Sequence, residues 1–258
     1  MNVGEKGVAW RRLRIKGTPG HGSAPFKSDN ALVRAAGVVQ RLADYRPPPQ
    51  FHELWRQQVD ILDVDDETKS IMLDEAKIED WLDAHPVEGL ARHFYSCTHT
   101  TFSPNVAESD RRMKTNVIPD QIDVNVDIRT LPGESGAEVQ AHLDAALGDL
   151  ADQVDVEIIM NDPASISRID NPMWDTIQKA VNQPFPSARL VPQLIVGFTD
   201  ARVYRNLGSI AYGAGLFSPD LKSSDFMSRF HGHNERIDVE SLSLTTQFWI
   251  DVCQDFLS

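Results

Sequence analysis

Gly17-Thr18-Pro19-Gly20-His21-Gly22-Ser23-Ala24-Pro25 separates two segments of different character. Before it, Val8 to Lys16 alternates. Leu13 and Ile15 share one face of an expected strand, and Arg12, Arg14 and Lys16 share the other. Three cations on one side of a strand require that side to be wet or to face acids. After the stretch, Asp29 or Asn30 can cap a helix running to Ala43, with Leu32, Ala35, Ala36, Val39 and Leu42 as its apolar stripe. Three glycines and two prolines in nine residues mark backbone that must turn sharply and stay rigid. On its residues alone, His21 is either a surface turn histidine or one aimed outside its own domain.

Outward from this unit, Pro47-Pro48-Pro49 ends the helix, and a helical pattern runs from Phe51 to about Arg92. Its expected apolar contacts are Trp55, Val59, Ile71, Ile78, Trp81 and Leu82. The acidic run from Asp63 to Glu67 reads as a solvated loop, and His52, His85 and His93 have no ligand-like spacing. Thr98 to Phe102 is a short β-rich run. Gln121–Arg129 alternates strictly, with Ile122, Val124, Val126 and Ile128 facing one way, as in an antiparallel strand with one covered face. Ser135 and Glu138 form a capping box for a helix that buries Val139, Leu143, Leu147 and Leu150. Val154, Val156, Ile158 and Met160 supply another alternating strand. The order strand, helix, insert, strand, strand, helix, strand is that of a ferredoxin-like sandwich.

Residues 162–258 read differently. A helix over Pro172–Val181, a buried strand over Leu190–Val196, a helix over Thr199–Asn206, a buried strand over Ser209–Tyr212 and a closing helix over Val239–Leu257 are expected. Leu242, Trp249, Val252 and Phe256 form the face of that last helix. These are pieces of an α/β sheet with helices, too few for a complete domain. The fold expected is therefore α/β with an α+β lid. A ferredoxin-like dimerisation or lid domain spans residues 7–161, with a helical insertion at about 50–93. Residues 1–6 and 162–258 form the C-terminal part of an α/β catalytic domain.

The composition, 41% hydrophobic and 24% charged, is that of a globular protein, and the net charge of −13 argues against unspecific nucleic-acid binding. No apolar run reaches membrane-spanning length, and the first residues lack the apolar core of a signal peptide. Cys97 and Cys253 are the two cysteines, far apart, which fits a reducing, cytoplasmic setting with both thiols packed as small apolar groups.

A second histidine stretch lies near the other end, Phe230-His-Gly-His-Asn-Glu-Arg236. Between the two lie Lys114-Thr-Asn-Val-Ile-Pro119 and Asp127-Ile-Arg129. In this order the four segments resemble the dinuclear-zinc amidohydrolase and peptidase family. That family includes succinyl-diaminopimelate desuccinylase, acetylornithine deacetylase, aminoacylase, carnosinase-like dipeptidases and glutamate carboxypeptidase. The resemblance runs from about Glu5 to the C-terminus and implies hydrolysis of an amide or peptide bond in an N-acyl amino acid or small peptide.

The resemblance also implies roles. His231, in H-x-x-N-E, matches a zinc ligand, with His233 beside it as the alternative. His21 matches the lid histidine that reaches across a homodimer and stabilises the oxyanion in the partner's active site. Asn116 and Arg129 match substrate contacts, and an arginine fork suits a free carboxylate; a cross-strand ion pair with a neighbouring acid is the structural alternative for Arg129. Thr199 and Asp200, in Gly197-Phe-Thr-Asp-Ala-Arg202, resemble a loop near the substrate. The family cofactor is two zinc ions, with cobalt or manganese as substitutes. The sequence departs from the pattern because no Glu-Glu pair is present. The H-x-D match, His142-Leu-Asp144, lies in a helix where residues two apart point to different sides. The chain alone is therefore expected to bind no zinc tightly and to be inactive, as a C-terminal fragment or truncated product. A non-catalytic dimerisation or regulatory module derived from the family is the second reading. The expected partners are a small carboxylate-bearing substrate and a second copy, with no nucleic acid or membrane.

Overall fold

The computed structural model describes residues 1–109, 113–222, 225, 226, 229 and 233–258. Its main sheet is built on β7 (Gln121–Thr130). On one side, β7 pairs antiparallel with β3 (Arg11–Lys16) and, past a break at Ala9-Trp10, with β2 (Gly7–Val8). On the other it pairs with β5 (Thr101–Glu108), and β8 (Val154–Ile158) closes the far edge on β3. The order β8-β3-β7-β5, all antiparallel, is ferredoxin-like. Two helices cover one face, α1 (Ala31–Asp44) and α6 (Gly136–Leu147). The core between them holds Leu13, Ile15, Ile122, Val124, Val126 and Ile128 against Ala35, Val38, Leu42, Val139, Leu143 and Leu147.

The other face of β3 carries the cations, and it meets acids. Arg12 and Arg14 lie 3.5 and 3.3 Å from Glu157, Lys16 is 2.6 Å from Asp155, and Arg14 is 3.5 Å from Asp123. These pairs are mostly exposed and contribute little each.

Several sequence expectations are corrected. On α1, which Asn30 caps through Leu32 N–H, the buried line is Ala31, Ala35, Val38 and Leu42. Leu32 and Ala36 are exposed. Both lines repeat at helical spacing, so rotation about the axis was free until the sheet fixed it. β5 runs well past Phe102, because Pro104 and Asn105 are tolerated at an exposed edge with a bulge. In β8 the alternation fails outward: Ile158 is 64% exposed. Cys97 is buried, whereas Cys253 is exposed.

The insertion is four helices, α2 (Glu53–Ile61), α3 (Asp66–Met72), α4 (Ile78–Asp83) and α5 (Glu88–Thr98). They enclose their own core of Trp55, Val59, Met72, Ile78, Leu82, Phe94 and Cys97. The acidic run is not only a loop. Asp65 caps α3 by accepting from Thr68 N–H at 2.8 Å, and the helix begins at Asp66. Its carboxylates sit at the positive end of the helix dipole.

The remainder forms a small sheet. β1 (Asn2–Glu5) lies between β10 (Gln193–Ile195), parallel, and β9 (Ser165–Ile166), antiparallel. The helices α7 (Pro172–Asn182) and α9 (Val239–Leu257) pack on each other through Ile177, Ala180, Val181, Phe248 and Val252. The buried line of α9 is Ser241, Phe248 and Val252, not the expected Leu242, Trp249 and Phe256; Leu242 is 53% exposed. The segment 209–212 forms no strand. Its Ala211 carbonyl instead accepts from the Arg205 guanidinium at 2.8 and 3.1 Å.

Candidate functional site

The matched residues fall at two ends of β7. At its N-terminal end, Gly17 N–H donates to Asp120 C=O at 2.8 Å, so the Gly17–Pro25 turn and the segment before Gln121 leave the sheet together. They pair again as β4 (Gly20–His21) and β6 (Val117–Ile118), with His21 opposite Val117. Gly22 N–H donates to Asn116 C=O at 2.8 Å, which sets Asn116 one residue beyond the His21–Val117 pair on an exposed ribbon.

Gly17 makes the departure. A Cβ there would stand 2.6 Å from both Ala31 N and Asp29 C=O, closer than backbone can yield cheaply. Gly17→Ala is therefore expected to cost about 1–3 kcal/mol, read as a lower urea midpoint. An unchanged midpoint would mean that the turn and the start of α1 move apart freely.

At the C-terminal end of β7, Arg129 is paired opposite Val8 and Thr101. Its Nε and one terminal nitrogen donate to Asp127 at 2.7 and 3.0 Å. Trp10 Nε1–H donates to the same carboxylate at 2.9 Å. Among the described residues the acid paired with Arg129 is Asp127, two residues back on its own strand, so the pair lies along β7 and not across to a neighbouring strand as the alternative reading expected. The other terminal nitrogen, NH1, is buried without a hydrogen-bond partner among the described residues. The guanidinium also lies 5.4 Å from the Phe198 ring, and Arg202 lies 4.2 Å from that ring. Phe198 brings the loop that includes Thr199 and Asp200 up to Arg129 of the main sheet.

That loop is anchored below by Glu5. Thr199 N–H donates to Glu5 Oε2, and Arg205, on α8 (Ala201–Asn206), donates to Glu5 Oε1 at 2.7 Å. Burial lowers the Arg205 pKa, and the Glu5 charge opposes that shift. Asp200 is exposed at the start of α8 and caps nothing with its side chain. Gln121 and Arg129 are eight strand steps, about 25 Å, apart along β7, with the His21–Asn116 ribbon beyond the first and the Phe198–Thr199 loop beside the second.

His231 lies outside the described residues. His233 is exposed, and Asn234 takes a left-handed conformation at φ 61°. Among the described residues no three His, Cys, Asp or Glu side chains come together to hold a metal. The described part does not by itself fit a dinuclear centre, and no chemical step here runs through one. The H-x-D match separates as helix geometry requires. His142 Nδ1 meets the Tyr45 hydroxyl at 2.8 Å, while Asp144 accepts from Gln140 at 2.8 Å.

Sequence reasoning missed Lys6, between β1 and β2. Its ammonium is fully buried and donates to His99 C=O at 2.6 Å. Burial pushes its pKa down to about 7, against weaker opposing pulls from Cys97 and Glu134. His99, stacked under Tyr95 at 4.0 Å, is lowered to about 4, again chiefly by burial. Nothing in Gly-Glu-Lys-Gly announces a buried pair of charges. In the fold the neighbouring Gly7 is required, since a Cβ there would lie 2.2 Å from Thr130 Oγ1 and 2.8 Å from Ala164 N.

Comparison with known proteins places this geometry. A family model described as the peptidase dimerisation domain of the M20 group matches residues 3–155. The probable carboxypeptidase S-like 2 of Dictyostelium discoideum is 24% identical over 96% of this chain and 47% of its own length. The N-fatty-acyl-amino acid synthase/hydrolase PM20D1 of Xenopus tropicalis is 27% identical over 97% of this chain and 48% of its own. The chain thus spans about half the length of the curated relatives it matches. Among solved structures, the dipeptidase Dug1p of Saccharomyces cerevisiae superposes with a TM-score of 0.66 at 15% identity, covering 98% of this chain and 55% of that one. Human carnosine dipeptidase 1 gives 0.63 at 15%, over 98% and 56%. Among the described residues no helix is long and apolar enough to cross a membrane.

Proposed function

This chain belongs to the M20 peptidases through their dimerisation domain, and from that premise we propose that it is the lid and C-terminal catalytic portion of a zinc-dependent metallohydrolase. In this reading residues 7–161 are the lid, and residues 1–6 with 162–258 are part of the catalytic domain. The bond cleaved is the amide of an N-acyl amino acid or small peptide, and the names of the carboxypeptidase-like and N-fatty-acyl-amino acid relatives support that class. The remaining metal ligands and the general base come from polypeptide that this sequence does not carry, since it has no Glu-Glu pair.

One observation carries the arrangement: the ribbon with His21 and Asn116 leaves β7 beyond Gln121, while Arg129 stands at the other end of that strand, about 25 Å along it. A small substrate cannot touch both ends of β7 in one chain. Two copies joined through their lids could bring the ribbon of one over the arginine end of the other. Arg129 NH1 is the donor left for a substrate carboxylate, and His21 would stabilise the oxyanion that forms at the scissile carbonyl. His231 would be the ligand this chain contributes to the metal pair, whose chemistry is to activate the attacking water.

Two measurements test this. The purified 258-residue chain, supplied with zinc or cobalt, is expected to show no turnover of N-acyl amino acids or dipeptides. It is expected to sediment as a dimer. Turnover by the chain alone overturns the assignment of the missing ligands. A strict monomer at high concentration overturns the shared site.

A further inference from the structure

Resting on the reading of His21 as an oxyanion donor, we propose that Ser23 is its positioning residue. Ser23 holds the ring as the tautomer whose Nε2–H points away from its own chain. The geometry is local. Ser23 backbone N–H donates to His21 Nδ1 at 3.2 Å, and Ser23 Oγ lies 2.7 Å from the same nitrogen. An amide N–H can only donate, so Nδ1 must present its lone pair. The serine hydroxyl then donates to Nδ1 as well. A neutral imidazole carries one N–H, and with Nδ1 occupied as acceptor that proton sits on Nε2. The ring is exposed, and no hydrogen bond among the described residues uses Nε2.

A donor held this way suits an oxyanion. The stabilising group must be an N–H already aimed at the place where charge will develop, at no cost of reorganisation during the reaction. The Nδ1–H tautomer, turned inward to the serine, would offer a lone pair to that oxygen and repel it.

The turn does not need the serine hydroxyl for its own closure. Ala24 N–H donates to His21 C=O at 3.0 Å, Ser28 N–H to Pro25 C=O at 3.1 Å, and Gly22 N–H to Asn116 C=O at 2.8 Å. These backbone bonds shape the ribbon, and none involves Ser23 Oγ. A Cβ on Gly22 would stand 3.2 to 3.3 Å from the Asn116 backbone, so the close approach of the two strands rests on the glycine. The hydroxyl is left with one described partner in this turn, the ring it orients.

The experiment is nitrogen NMR of the histidine side chains in the 258-residue chain at mildly alkaline pH, with His21 assigned by its loss in His21→Gln. His21 is expected to show Nδ1 as the unprotonated nitrogen and a scalar coupling from Ser23 backbone N–H across the hydrogen bond to Nδ1. In Ser23→Ala the ratio of Nε2–H to Nδ1–H tautomer is expected to fall about two- to tenfold, the worth of one hydrogen bond. Ser23→Thr, which keeps a hydroxyl, is expected to restore it. The amide spectrum of each variant reports whether the ribbon is intact. A protonated Nδ1 in the parent chain, or an unchanged ratio in Ser23→Ala, overturns the proposal. Because the measurement needs no catalysis, it stands apart from the reading of His21. That reading fails instead if His21→Gln leaves turnover of the assembled enzyme unchanged.

Discussion

Glu5→Ala is expected to destabilise the chain by about 3–5 kcal/mol, the range for removing one partner of a buried ion pair. Glu5 and Arg205 side chains are 1% and 6% exposed, with Oε1 2.7 Å from the guanidinium. The carboxylate also receives Ser165 Oγ–H at 3.4 Å and Thr199 N–H. Once it is gone, Arg205 keeps its charge in a site that burial already makes unfavourable for it. Thr199 loses the acceptor that fixes the 197–202 loop. Denaturant unfolding of Glu5→Ala, Arg205→Ala and the double variant separates the contributions. The double variant is expected to lose less than the sum, because neither charge is then stranded. Strict additivity would show that the two side chains do not act as a pair.

The second large effect concerns Lys6 and is read as a pH slope. In the unfolded chain its amine holds a proton up to the ordinary lysine value of 10.5, whereas in the folded chain it releases it at about 7. Between these values the unfolded state binds more protons, so folding stability rises with pH across the window from about 7 to 10.5. The gain is on the order of 5 kcal/mol, taking 1.36 kcal/mol per pH unit across that window. Lys6→Met removes this rise while keeping most of the volume, so its stability is expected to be flatter over the same window. A parent chain already flat there, or a variant as steep as the parent, would show that Lys6 keeps its proton when folded. On the acid side the buried His99 acts in the same sense. Its pKa drops from 6.5 to about 4, so its share of stability is lost as pH falls through that interval.

Lys6 and Glu5 also explain why these effects cluster. They occupy the connection between β1 and β2, where the chain passes from the small sheet to the large one. Lys6 N–H donates to Ile195 C=O at 3.1 Å, while its ammonium reaches the start of β5. A connector that buries two opposite charges on consecutive residues ties the main sheet, the insertion and the 197–202 loop to one short segment.

How much of this could be read from the chain differs by element. Gln121–Arg129 was legible because one face is fully covered and the other is polar, so the period of two appears without exception in Ile122, Val124, Val126 and Ile128. The capping box at Ser135 and Glu138 was legible because both of its bonds are local. The ribbon of β4 and β6 was not, since two-residue strands have no period to detect. The order of the four motifs identified the family. It did not reveal that Asn116 stays with His21 while Arg129 lies at the far end of the same strand.

By itself the sequence determined the ferredoxin-like order and the longer strands and helices, because these rest on local propensity and periodicity. Only the tertiary structure decided which stripe of α1 and of α9 is buried, since two rows of apolar residues repeat at the same spacing and the neighbouring sheet or helix chooses between them. It also decided that Lys6, Glu5 and Arg205 are buried and which groups meet them. A charge's burial depends on what folds over it from more than ninety residues away, and nothing in its immediate neighbours encodes that.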